Sequence, residues 1–88
     1  MKTIWWLSFA DGKCLGMCFI EAEDIIDAAT KAWELGINPG GEVLGFDMGL
    51  TAETIEEAAK FEMNRLYSPE EMRAKGYSTM REEIARQN

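Results

Sequence analysis

The feature that most limits this chain is a pair of apolar runs on either side of Asp11-Gly12. Thr3 to Ala10 carries Ile4, Trp5, Trp6, Leu7 and Phe9, and Leu15 to Ala22 carries Met17, Cys18, Phe19 and Ile20. Aromatic and branched residues in runs of this length favour strands. Asp-Gly is a two-residue turn signal, because glycine reaches positive φ at little cost. Neighbouring side chains of a strand point to opposite faces. Trp5, Leu7 and Phe9 therefore oppose Ile4, Trp6 and Ala10, and both faces are apolar. A hairpin with one wet face would turn polar at every second position. This one needs cover on both sides, expected from the chain's helices on one face and a second subunit on the other.

The rest of the chain supplies those helices. Asp24 opens a helix with Ile25, Ala28, Ala29, Ala32 and Trp33 as its inward stripe, and Gly36 ends it. Glu42 to Met48 alternates as a third strand. Thr51 caps a helix expected to reach Met63, with Ile55, Ala59, Met63 and Leu66 as the buried stripe. Ser68-Pro69-Glu70-Glu71 is a capping box with proline at the first helical position, opening a short helix that ends near Gly76. Thr79-Met80-Arg81-Glu82 repeats the capping signal. The order is ββαβ followed by two to three helices, an α+β fold on a small, mostly antiparallel three-stranded sheet. Residues 1–76 read as one compact domain and 77–88 as a helical extension.

Composition then removes whole classes of function. The chain has 88 residues, with sixteen acidic against nine basic side chains, a formal net charge of −7 and no histidine. Histidine bases and histidine-ligated zinc are impossible, and a basic groove for nucleic acid does not fit so acidic a chain. No apolar run approaches the roughly 20 residues of a membrane span, and no basic-then-apolar leader opens the sequence. Cys14 and Cys18, four apart on a strand, should lie roughly 13 Å apart on one face, too far to bridge. Two free thiols imply a reduced, cytoplasmic setting. Glu21 with Glu23, or Glu42 with Asp47, could hold a magnesium ion with waters. Each pair also fits ordinary surface alternation, and no base or nucleophile accompanies them. No enzyme activity, cofactor or metal is expected.

Charge is uneven: residues 21–62 hold eleven acids and two lysines, a net −9. Outside that block stand the aromatic hairpin and Asn64-Arg65. Asn38-Pro39-Gly40-Gly41-Glu42 is a loop whose paired glycines can turn backbone N–H groups toward an anion, with Glu42 available to a ribose hydroxyl. The same residues would serve simply to stop a helix and turn the chain. Adjacent Trp5 and Trp6 point to opposite faces, so one fills the core and the other offers a flat surface for a base or an interface. Arg65 is a planar fork suited to phosphate, or a helix-end charge on terminal carbonyls.

Trp6-Leu7-Ser8-Phe9-Ala10-Asp11, Leu15-Gly16, Glu21-Ala22, the string Leu35 to Val43, and Asn64-Arg65-Leu66 followed by Ser68 and Glu70-Glu71 together resemble a family of small proteins found in tailed phages and bacteria. The resemblance covers about residues 5–72 and implies a phage-like setting without implying an activity. In profile the chain is also similar to phage anti-defence proteins that sequester nucleotide immune signals. The expectation is therefore a non-enzymatic homo-oligomer that binds a nucleotide-derived ligand related to cyclic ADP-ribose. Phosphates would lie on Gly40, Gly41 and Arg65 beside Asn64, a base on Trp5 or Trp6, and ribose near Asn38 or Glu42. The rival is an acidic inhibitor that binds a host protein, in the manner of a nucleic-acid mimic.

Overall fold

A computed structural model describes residues 2–77; the capping signal at Thr79 and the extension beyond Tyr77 lie outside the described residues. Six elements follow in order: β1 (Thr3–Ala10), β2 (Cys14–Ala22), α1 (Ile25–Glu34), β3 (Glu42–Gly49), α2 (Ala52–Ala58) and α3 (Pro69–Ala74). The sheet runs β2-β1-β3 with both pairings antiparallel, so the domain is α+β as the element order implies.

Both apolar faces of the hairpin are covered from within the chain. On one face Leu7, Phe9, Cys18, Ile20 and Ala22 pack under Ala28 and Ala32 of α1. On the other, Ile4, Met17 and Phe19 pack against Ala58, Phe61, Tyr67 and Met72. The two-sidedness that pointed to a second subunit is thus met by helices on both faces.

The hairpin connection differs from a tight two-residue turn. Ala10 pairs with Cys14 while Phe9 pairs with Gly16, so Asp11 to Lys13 form the loop and Leu15 is an extra, bulged residue. A bulge shifts the in-out alternation by one. Cys14 consequently joins the cluster under α2 and α3, and Cys18 the cluster under α1. The thiols lie on opposite faces, not on one, and both are free.

Local signals set the helix ends. Asp24 accepts the Asp27 N–H at 2.7 Å to cap α1. Beyond Leu35 the chain closes with Gly36 N–H to Trp33 C=O and Ile37 N–H to Ala32 C=O, both 3.0 Å, with Gly36 at φ 74°. Alanines at the contact positions bring α1 close to the sheet. A Cβ on Gly45 of β3 would stand 2.5 Å from Ile25 Cδ1, so that glycine makes room for the helix. Trp33, expected inside, is 70% exposed, because Ala28 and Ala32 point inward and Trp33 lies about 100° further round.

α2 stops at Ala58 instead of running to Met63. Lys60 N–H to Glu57 C=O and Phe61 N–H to Ala58 C=O tighten its end, and Phe61 turns inward. Its ring stacks on Phe19 at 4.7 Å and meets the edge of Tyr67 at 5.5 Å. Helix propensity varies by less than about 1 kcal/mol among ordinary residues, whereas burying a phenylalanine contributes about 2–3 kcal/mol. Burial decides the ending. Ile55 and Ala59 of the expected stripe are exposed, as is Met63, and the core positions are Ala58 and Phe61.

Candidate functional site

The eight residues expected to hold a ligand fall in four places. Trp5 lies on the α1 face, packed against the same core cluster as Ile25 and Val43. Trp6 lies on the opposite face, stacked 5.9 Å from Phe19. Both are half-buried, and neither indole N–H has a hydrogen-bond partner among the described residues. Trp6 also lines a cavity of about 140 Å³ with Phe19, Met48, Phe61, Met72 and Tyr77, which is apolar apart from Glu57.

Asn38, Gly40, Gly41 and Glu42 sit at the loop end of the hairpin. Gly40 donates its N–H to Asn38 Oδ1 at 2.8 Å, an internal turn. Gly41 has φ 75°, and a Cβ there would collide with the Ala10 carbonyl. The glycine is required by the chain's close pass over β1. Glu42 opens β3 opposite Ala10.

Asn64 and Arg65 lie along the outer edge of β2. Asn64 takes the left-handed conformation, φ 62°, and donates its N–H to Phe19 C=O at 2.9 Å. Arg65 pairs with Glu71, reaches Glu62 at 3.7 Å, and lays its guanidinium 4.3 Å from the Tyr67 ring centre. Glu71 is itself held below the usual carboxylate range, chiefly by the Ser68 N–H and then by the Arg65 charge. Asn64 is level with Phe19, the partner of Trp6, and the glycine loop is level with Ala10. Four strand residues separate those levels, about 13 Å. A single copy of the chain does not draw these groups into one pocket.

A groove of about 470 Å³ lies between the end of α1 and the turn at Met63-Asn64. Ile20, Leu35, Glu21, Glu34 and Lys31 line it together with Asn64. Lys31 is engaged with Asp27 at 3.2 Å and with the Glu21 carbonyl at 3.3 Å. Two carboxylates and one engaged cation suit an anionic ligand poorly. Among the described residues no group of three or more carboxylates and thiols gathers as a metal site, and no helix is long and apolar enough to cross a membrane.

What the candidate residues leave unexplained is the outer surface of α1. Ile26 is 75% exposed and Trp33 70% exposed, seven residues apart on one helix face, with Leu35 exposed just beyond the helix. At 100° per residue the carboxylates of Asp27 and Glu34 border that face on one side. No protein-family model, curated protein or solved structure matches this chain. The spacing of Ile26 and Trp33 was readable beforehand, since positions seven apart share a helix face. Trp33 also adjoins Ala32 of the inward stripe, and one position round a helix separates buried from exposed.

Proposed function

We propose that this protein is a non-catalytic, acidic binding module that engages a partner protein through the outer face of α1. The observation that carries this reading is the exposure of Ile26 and Trp33 on a single face. An indole and a branched side chain left in water contribute no burial free energy to the monomer, and tryptophan is the residue most enriched at binding hot spots. Glu34 beside them, on the border where Asp27 is already paired with Lys31, favours a partner whose apolar cleft is rimmed by lysine or arginine. The strongly acidic charge of residues 21–62 would speed approach to such a surface. In the phage setting that the resemblance implies, the partner is a host factor, and the action is occlusion of its basic surface with no bond made or broken.

The other reading, sequestration of a nucleotide-derived signal, asks for a free anion site. Here Arg65 is engaged by Glu71 and the Gly40 N–H by Asn38 Oδ1, which is why the protein-binding reading is preferred. The test is capture of host proteins on immobilised wild type, Trp33→Ala and Ile26→Ser, washed at increasing salt, alongside native mass spectrometry with a nucleotide panel that includes cyclic ADP-ribose isomers. A partner held by wild type, lost from both variants and released by salt is expected. Retention by Trp33→Ala, or uptake of a nucleotide in place of a protein, would overturn the proposal.

A further inference from the structure

The two edges of the sheet are treated differently. Along β2's outer edge the chain returns, with Met17 N–H to Tyr67 C=O at 2.8 Å, Tyr67 N–H to Met17 C=O at 2.7 Å, and the Asn64 bond to Phe19. That edge is occupied. β3 forms the other edge, and among the described residues no strand pairs with its far side. Alternate residues of a strand direct N–H and C=O groups outward, so an eight-residue edge presents a row of them. Natural edges are usually blunted by lysine, proline or shortness. Glu-Val-Leu-Gly-Phe-Asp-Met-Gly has neither residue and is long for a strand, and its one bulge, the extra residue Met48 between the Trp5–Asp47 and Ile4–Gly49 pairs, is confined to its end. β3 also differs in burial: β1 and β2 each hold at least five buried residues, and β3 holds none. Leu44 and Phe46 share the face of Trp6 through the strand register, Met48 packs against the same cluster as Trp6, and Phe46 is 59% exposed.

We propose that a second copy of this chain pairs antiparallel along β3, joining two sheets into one of six strands about a two-fold axis at Gly45. The strand is complementary to itself in that register. Leu44 falls opposite Phe46 of the other copy and Val43 opposite Asp47, with Glu42 at each end level with the bulged Met48, so no acid faces an acid. Each exposed Phe46 gains an apolar cross-strand neighbour. Faces also match, because a two-fold axis normal to the sheet keeps both α1 helices on one side. A slip of one residue brings Glu42 opposite Asp47 and sets the apolar face against the other one, which disfavours it on both counts. The residue on the axis has no side chain to crowd the approach. The net charge of −7 on each copy opposes association, so added salt should tighten the pairing, the reverse of its effect on the α1 contact with a basic partner.

Sedimentation of the full chain at low and high ionic strength tests this, with amide hydrogen exchange across a range of protein concentrations. The expected result is a species of twice the 9.9 kDa chain mass that strengthens with salt. Phe46→Glu should weaken it by about tenfold or more, since two apolar pairs are lost and two charges enter. Trp33→Ala should leave it intact. The exchange measurement needs no variant: β3 amides should become slower to exchange as concentration rises, while those of α1 do not. A monomer at every concentration, β3 amides indifferent to concentration, or a dimer that Phe46→Glu leaves unchanged would each overturn the proposal.

Discussion

Cys18 is enclosed on the α1 face, and burial alone pushes its thiol from an ordinary 9.0 up to about 12. It stays protonated at neutral pH and is shielded from reagents. Cys14, carried to the other face by the bulge at Leu15, is only half-buried. A disulfide-exchange reagent should therefore modify one thiol quickly in the native protein and the second only on unfolding. Cys14→Ser should abolish the fast reaction; two fast thiols would show that the α1 face opens readily. The alkaline consequence has a definite sign. Between 9.0 and about 12 the unfolded chain has released a proton that the folded one retains, so stability falls as pH rises through that window. That both cysteines are free followed from their spacing. Which faces they occupy did not, because an extra residue in a strand leaves no mark in a run that is apolar at nearly every position.

At the scale of elements, capping does much to hold the shortest pieces. α3 has six residues, too few to persist alone. Ser68 Oγ accepts the Glu71 N–H at 3.1 Å, and Glu71 Oε1 accepts the Ser68 N–H at 3.0 Å. Pro69 follows at the first helical position. α3 carries Met72 into the core, and the chain then brings Tyr77 within 5.3 Å of the Phe61 ring. Ser68→Ala should lower stability by about 1 kcal/mol, read as a shift of the urea midpoint at constant slope. A shift within error would mean that Met72 burial holds α3 without its cap. This capping box was legible because it lies within four consecutive residues. The end of α2 was not, since its cause is an aromatic site built from Phe19 and Tyr67, 42 residues before Phe61 and six after it.

For the whole molecule, acid is the informative variable. Asp27 is held below its ordinary range mainly by the Glu23 N–H, Glu57 mainly by the Tyr77 hydroxyl, and Glu71 mainly by the Ser68 N–H. Carboxylates with depressed pKa contribute stability above their unfolded values and lose it as pH falls through the folded ones. Glu57 is exposed and Asp27 and Glu71 are partly exposed, so each contributes modestly. With no histidine in the chain, the denaturation midpoint should be flat from about pH 6 to 8 and decline below about pH 4. A step near neutrality would contradict this account. What the sequence by itself determined is what depends on near neighbours and alternation: three strands, the helix starts, the capped turns and an α+β order. Tertiary structure decided what depends on distant partners. It covered both faces of the hairpin from one chain, tied Arg65 to Glu71 and the Gly40 N–H to Asn38, turned Trp33 outward and left the outer edge of β3 without a strand partner among the described residues. Periodicity shows that a face is apolar. Only the completed packing shows whether that face has been covered.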